Sequence, residues 1–203
     1  IKRVYDAHEL FCEMKEIVTR PRIYKLWKRI ESFAVPKFKF GYTVNQPIAD
    51  EFSRMYGANY LVIRNIALLR MIAPAHINEK IILYQGAVNE GRSFETLIPA
   101  MKEVVGKLLI CGDGNFIQQA RQLVKENHLE QKVIYKGKVP PEELRTITSQ
   151  ACIGITIFDD KGLSNYYSLA NRVFDYIHAG IPQLCVVFPV YRQINAEIPF
   201  PGL

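Results

Sequence analysis

From residue 80 onward, short apolar runs alternate with stretches whose apolar residues recur every three or four positions. Ile81–Tyr84 predicts a strand that ends in Gln85-Gly86, and Phe94, Leu97, Ile98 and Met101 then follow at helical spacing. Leu108–Cys111 predicts a second strand, closed by Gly112-Asp113-Gly114 and followed by a helix over 115–127. Val133–Tyr135 predicts a third strand. The helix after it opens at Pro140-Pro141-Glu142-Glu143, with proline in the first turn and acids beside the positive end of the dipole. Ile153–Phe158 and Leu184–Phe188 predict the last two strands, separated by a helix over 169–178 that Gly180 and Pro182 terminate.

Residues 1–66 follow the same grammar with fewer repeats. Val4-Tyr5 ends a strand, 20–34 form a basic helix with Ile23, Leu26, Trp27 and Ile30 on one side, and Gly41–Val44 form a strand. A helix over 46–56 and a strand over Tyr60–Ile63 complete the segment. Strands alternating with helices imply βαβ units, and almost wholly apolar strands imply a sheet covered on both faces. The fold class is therefore α/β, with a Rossmann-like parallel sheet domain at 79–203 and a partial second α/β domain at 1–66, joined by a linker at 67–78. In such sheets ligands bind beyond the carboxyl ends of the strands. The loops of interest are thus Gly86–Arg92, Gly112–Gly114, Gly137–Val139 and Asp159–Ser168.

Composition narrows the class. The 203 residues are 49% hydrophobic and 23% charged, which excludes disordered, collagenous and coiled-coil chains. No apolar run approaches the ~18 residues of a membrane span. The chain opens inside a strand, without Met or signal peptide, and stops at Pro199-Phe200-Pro201-Gly202-Leu203; a piece of a longer protein is expected. Charge changes the picture more. Residues 1–74 hold 13 Lys+Arg against 7 Asp+Glu, and the remainder 13 against 13, so the whole excess of +6 lies in the first third. A cationic segment favours phosphates, nucleic acid or an anionic membrane surface, and a solvated helix without a partner is the alternative. Cys12, Cys111, Cys152 and Cys185 form no C-x-x-C pair, and three of them lie in apolar runs. Free buried thiols are expected, which points to a reducing cytoplasm.

Three constellations could carry chemistry. Gly86-Ala87-Val88-Asn89-Glu90-Gly91-Arg92-Ser93 joins a strand to a helix: glycines admit a phosphate to the backbone, and Arg92 adds a two-pronged donor. It has neither a Walker A lysine nor G-x-G-x-x-G spacing, and a glycine-rich turn with a solvated arginine remains the alternative. In the second, polar residues run into a helix start, where the amides near Leu169–Asn171 offer an anion site that Arg172 reinforces. Asp175, one turn on, could accept hydrogen bonds from the vicinal hydroxyls of a ribose, or pair with Arg172 within the helix. In the third, His8-Glu9 follows a strand end, where a histidine could meet a phosphate or an acceptor hydroxyl, or serve as a capping or core residue. Gly112-Asp113-Gly114 reads as a tight turn. No metal-ligand spacing occurs.

Taken in order, these segments resemble a GT-B glycosyltransferase of family 4. Tyr5-Asp6-Ala7-His8-Glu9-Leu10-Phe11 resembles that family's Asp-x-His-Glu loop, and Ile63-Arg64-Asn65 its strand leading into the interdomain linker. Tyr84-Gln85-Gly86 through Arg92 resembles the first donor-domain loop, Leu109–Gly114 the "L-x-I-x-G-D-G" strand end, and Val133–Pro140 the loop near the base. Asn171-Arg172-Val173-Phe174-Asp175-Tyr176-Ile177-x-Ala179-Gly180-Ile181-Pro182 resembles the "P-N-K-L-F-E-Y-x-x-A-G-x-P" signature and is the most specific stretch. Departures are Ala87 for a frequent arginine, Ala170 for proline, Arg172 for lysine, Asp175 for glutamate and Tyr167 for an earlier acid.

The resemblance implies retaining transfer of a sugar from a nucleotide diphosphate sugar to a glycan or lipid-linked acceptor, in cell-surface polysaccharide synthesis, with no cofactor and no metal. Gly86, Arg92, Leu169, Asn171, Arg172 and Asp175 would bind the donor, and His8 would be the catalytic residue beside the transferred sugar. The first half of the N-terminal domain is missing from the match, so the fragment alone is expected to be inactive. A non-catalytic nucleotide-sugar-binding module and a GT-B sugar-nucleotide epimerase are the alternatives. The expected location is cytoplasmic, peripheral on the inner face of the plasma membrane, with the basic stretch 20–39 meeting anionic lipid. Nucleic acid is not expected as a partner, since no recognition motif accompanies the charge.

Overall fold

The computed structural model describes residues 3–66 and 79–197. The expected linker, 67–78, lies outside the described residues. In chain order the elements are β1 (Val4–Ala7), α1 (Lys15–Val18), α2 (Pro21–Ala34), β2 (Phe40–Thr43), α3 (Gln46–Tyr56), β3 (Leu61–Val62) and β4 (Ile81–Gln85). They continue with α4 (Phe94–Ala100), β5 (Lys107–Cys111), α5 (Ile117–Glu126), β6 (Val133–Gly137), α6 (Pro141–Ser149) and β7 (Ile153–Thr156). The last four are α7 (Leu163–Tyr166), α8 (Arg172–His178), β8 (Gln183–Cys185) and α9 (Pro189–Glu197). Two compact units result. One takes the described residues up to Asn65, with Asp159–Leu169 and those from Val187 on; the other takes the described part of Ile66–Phe158 with Ala170–Val186.

The first unit holds a parallel sheet in the order β1-β2-β3, with Tyr5 opposite Gly41 and Tyr42 opposite Leu61. Helix α3 is set by its ends: the Asn45 side chain accepts from the Ile48 amide at 3.0 Å, proline follows in the first turn, and Gly57 closes the helix in the left-handed conformation. Its buried residues Ile48 and Phe52 join Ala7, Leu10, Val35, Ala58 and Tyr60 in the core. Gly41 must lack a side chain, because a Cβ there would lie 2.6 Å from the Tyr60 ring.

Helix α2 is turned the opposite way from an ordinary amphipathic helix. Ile23, Leu26, Trp27, Ile30 and Phe33 are exposed, while Glu31 is buried and Tyr24 and Lys28 half-buried. The inward polar face is organised by Lys28, whose Nζ reaches Glu13 at 2.8 Å and Glu31 at 3.0 Å; the Tyr56 hydroxyl donates to Glu31. Burial alone would lower the Lys28 pKa, but the hydrogen bonds to Glu13, Tyr56 and Glu31 prevail and raise it. Burial first, then the Glu31 charge, pushes the neighbouring Cys12 thiol up to about 12.

The second unit holds a five-stranded parallel sheet in the order β6-β5-β4-β7-β8. From β4 the chain winds outward through β5 to β6, then returns to the other side of β4 for β7 and β8. The strand order therefore reverses between β4 and β7, and the crevice beyond their carboxyl ends is where such sheets take ligands. One face carries Tyr84, Phe94, Ile98, Leu108, Ile110 and Phe116 in its core, and the other Leu83, Leu109, Ala151 and Tyr176. Gly154 admits the Tyr176 ring, which a Cβ would meet at 2.4 Å. The Tyr176 hydroxyl donates to the carbonyl oxygens of Leu83 and Ile155 at 3.1 and 3.4 Å.

Several bounds differ from expectation. Strand β7 ends at Thr156, so Phe158 lies past it; β8 ends at Cys185, and Val187 and Phe188 belong to the first unit. Helix α8 starts at Arg172, three residues later than its pattern suggests. The chain passes between units after Leu169, and a turn closed by Val173 N donating to Ala170 O precedes the helix. Helices α7 and α9 have no counterpart in the sequence reading. Of the four free thiols, Cys12 and Cys111 are buried and Cys152 and Cys185 half-buried.

Candidate functional site

Strand β4 leads directly into the loop 86–93, and this loop is fastened to the one after β5. The Gly86 amide donates to Cys111 O at 2.9 Å, the Val88 amide to Asp113 O at 3.0 Å, and the Phe116 amide to Val88 O at 2.9 Å. Side chains complete the seam: Asn89 Oδ1 accepts from the Asn115 amide at 3.1 Å, and Asn115 Oδ1 from the Glu90 amide at 3.0 Å. Gly112-Asp113-Gly114 is thus more than a tight turn. A Cβ on Gly112 would lie 1.8 Å from Gly86 O, and one on Gly114 2.2 Å from Asn89 Oδ1. Gly86 itself has φ 119°, which L side chains disfavour.

The closed seam leaves Gly86 beneath the Arg172 guanidinium, with its Cβ position 3.6 Å from Arg172 Cζ. Arg172 is only 8% exposed. Its Cζ lies 4.4 Å from the Tyr84 ring centre and 5.5 Å from that of Phe158, while Arg92 Cζ lies 4.5 Å from the same Phe158 ring. Two cations 80 residues apart in the chain, one in a loop and one at the start of α8, therefore share one buried aromatic ring, just beyond the ends of β4 and β7. The rings attract the guanidinium groups through their quadrupoles without cancelling their charge. An oxyanion entering this crevice would meet two fork-shaped donors already positioned.

Asp175 stands on α8, half-buried, with Oδ2 2.7 Å from Gln85 Nε2. Burial raises its pKa above the usual carboxylate value, against the lowering influence of His178, Gln85, Arg145 and Arg172. Gln85 is 4% exposed, and its Oε1 lies 2.9 Å from Thr148 Oγ1 on α6. Asn171 is exposed at the start of α8, where its carbonyl accepts from the Phe174 and Asp175 amides at 3.0 and 3.4 Å.

The structure thus brings Gly86, Arg92, Arg172 and Asp175 to one end of one sheet, with Asn171 preceding Arg172. Leu169 and His8 belong to the first unit. His8 is exposed just past β1, its Nδ1 2.6 Å from Asp6 Oδ1. Asp6 also hydrogen-bonds Tyr42 on the adjacent strand, which raises that phenol's pKa. With Nδ1 committed to Asp6, Nε2 is the nitrogen that can meet a ligand. The sequence reading missed Tyr84, Gln85, Thr148 and Phe158. Gln85 carried a signal, a lone amide in an apolar strand; Phe158 and Thr148 looked like ordinary core residues.

No protein-family model matches the chain, and no curated protein matches it. Solved structures do. Sucrose-phosphate synthase from Thermosynechococcus elongatus superposes with a TM-score of 0.73 at 18% identity, over 93% of this chain and 51% of that one. HepE of Anabaena, solved with UDP and glucose, gives 0.72 at 13% identity, over 94% and 54%. TarM, known from S. aureus, gives 0.64 at 15% identity, over 81% and 32%. The chain therefore spans about half of the first two and about a third of TarM. At these identities the likeness concerns architecture, and the architecture is the α/β, parallel-sheet GT-B fold of glycosyltransferases.

Proposed function

We propose that the chain is part of a retaining family 4 glycosyltransferase that moves a sugar from a nucleotide diphosphate sugar to a glycan or lipid-linked acceptor in cell-surface polysaccharide synthesis. One observation carries the reading: the guanidinium groups of Arg92 and Arg172 both lie against the Phe158 ring, beside the topological switch point. As the glycosidic bond breaks, negative charge builds on the diphosphate oxygens of the leaving group. Arg92 and Arg172 bind and stabilise that charge, and their contacts with the aromatic rings mean little reorganisation is needed as it develops. Gly86 allows the diphosphate close approach to the backbone, and Leu169 and Asn171 flank it. Asp175 accepts from the ribose hydroxyls, and His8, held through Nδ1 by Asp6, presents Nε2 to the transferred sugar. In this account the arginines supply the charge that a metal ion would otherwise supply, and no cofactor is used. TarM and HepE, which share the fold, were solved with UDP.

The acceptor side includes a membrane surface in this proposal. The outward face of α2 offers Ile23, Leu26, Trp27, Ile30 and Phe33 between exposed Arg22, Lys25 and Arg29, a composition suited to an anionic lipid interface. Among the described residues no helix is long and apolar enough to cross a membrane.

The test is a thermal-shift series with UDP, GDP, ADP and CMP sugars. At a hundred times Kd a ligand adds about 2.7 kcal/mol to stability, which raises Tm by roughly 5–10 °C in a chain of this size. One nucleotide sugar should produce that shift, and Arg172→Ala should abolish it. Absence of any shift across the series rejects the reading.

A further inference from the structure

Buried Gln85 and Thr148, which form a hydrogen-bond chain to Asp175, have no place in the chemistry above, and their geometry carries a second conclusion. It builds on the reading of Asp175 as the ribose acceptor. We propose that Gln85 and Thr148 are positioning residues that fix the Asp175 carboxylate, as an anion and in one rotamer, for the vicinal hydroxyls of a nucleotide ribose.

Gln85 Nε2 donates to Asp175 Oδ2 at 2.7 Å, and Gln85 Oε1 lies 2.9 Å from Thr148 Oγ1. Thr148 Oγ1 is also 2.7 Å from Leu144 O, one turn back on α6. The hydroxyl has a single hydrogen and two acceptors within reach. When it points to Gln85 Oε1, the amide is locked with Nε2 toward Asp175, and the carboxylate receives a donor. When it points to Leu144 O, nothing donates to Oε1. The amide is then free to turn, with Nε2 giving its hydrogen to Thr148 and Oε1 facing Asp175. Two oxygens face each other in that arrangement, which only a protonated Asp175 tolerates. The hydroxyl orientation is thereby coupled, through the amide, to the charge of Asp175.

The location makes the coupling consequential. Gln85 and Thr148 are both buried, so neither can exchange its partner for bulk water. The groups around the carboxylate are His178 and Arg172 on its own helix, Arg145 on α6 and Gln85 on β4. Of these, Gln85 donates directly to Asp175 Oδ2. With Oδ2 so engaged, Oδ1 is left to accept from hydroxyls. Gln85 also immediately precedes Gly86, which lies under Arg172. One residue of β4 therefore supports the ribose contact, and the next admits the diphosphate contact.

The experiment compares the full chain with Thr148→Val, which keeps shape and removes the hydroxyl, and Thr148→Ser, which restores it. Binding of UDP, GDP and ADP, of the matching 2′,3′-dideoxynucleoside diphosphate and of inorganic pyrophosphate is measured by calorimetry. The expected result for Thr148→Val is a roughly tenfold loss of affinity for the preferred ribonucleotide, little change for the dideoxy analogue and pyrophosphate, and recovery in Thr148→Ser. Gln85→Met should show the same pattern, independently of any folding defect in the first variant. Equal losses for ribo and dideoxy ligands, or none in either variant, overturn the relay while leaving the donor site intact. A wild-type chain that binds ribo and dideoxy forms equally overturns the role of Asp175 and the relay with it. Failure to bind any nucleoside diphosphate rejects the functional reading as a whole.

Discussion

Gly112→Ala isolates the seam on which the site is built. The added Cβ would sit 1.8 Å from Gly86 O and 2.8 Å from Gly86 C, both backbone atoms with no rotamer to escape through. Carbon and oxygen need roughly 3.4 Å or more, so the two loops must part by about 1.5 Å. That displacement takes the bonds from Gly86 N to Cys111 O and from Val88 N to Asp113 O, now 2.9 and 3.0 Å, beyond hydrogen-bonding range. Losing two such bonds costs about 2–3 kcal/mol, or a Tm fall of roughly 5–10 °C for a chain of this length. Gly86 also moves relative to Arg172, so nucleoside diphosphate affinity should fall with stability. Gly137→Ala is the control: its Cβ meets nothing within 4 Å, and only a φ of 70° is strained. Its cost should stay near 1 kcal/mol. Calorimetric unfolding and nucleotide titration of both variants provide the comparison. If Gly112→Ala melts no lower than Gly137→Ala, the seam is not what organises these loops.

Three further outcomes are expected. Phe158→Leu should preserve the core within about 1.5 kcal/mol but remove the ring that both arginines share. Nucleoside diphosphate affinity should then weaken by roughly tenfold, as read by titration alongside Tm. Lys28→Met leaves half-buried Glu13 and buried Glu31 without their cation and should cost roughly 2–4 kcal/mol, read from a thermal melt. Because burial raises the Asp175 pKa, its carboxylate is lost at a higher pH than an ordinary aspartate as acid is added. Ribonucleotide affinity should therefore decline on acidification before pyrophosphate affinity does, and an Asp175→Asn chain should lack this difference in its pH titration.

The sequence made some of this plain. Helix α3 was legible to the residue because Asn45, Pro47 and Gly57 give local instructions that need no tertiary partner. The five strands of the second unit were legible because strands covered on both faces leave unbroken apolar runs. Strand ends were less so: Ile157 and Phe158 continue the apolar run of β7 after its pairing has stopped. Helix α2 shows a deeper reason for failure. Its periodicity located the helix, but the inward face is the one with Lys28 and Glu31. Glu13 and Tyr56, distant in sequence, make their burial tolerable. The segments 159–169 and 187–197 join the first unit through contacts that no local pattern encodes. Arg92 was visible as a charge beside a glycine and Arg172 as one at a helix start, whereas the ring that both approach was not, since a phenylalanine at a strand end looks like core.

The central claim is that Arg92 and Arg172 act on one diphosphate. A double-mutant cycle measures this directly, with nucleoside diphosphate affinity determined for the full chain, Arg92→Ala, Arg172→Ala and the double variant. Each single change should weaken binding, and the pair should show a coupling of about 0.5–3 kcal/mol, as expected for groups that share a ligand and a supporting ring. Wild-type affinity in either single variant, or losses that simply add, would contradict the claim.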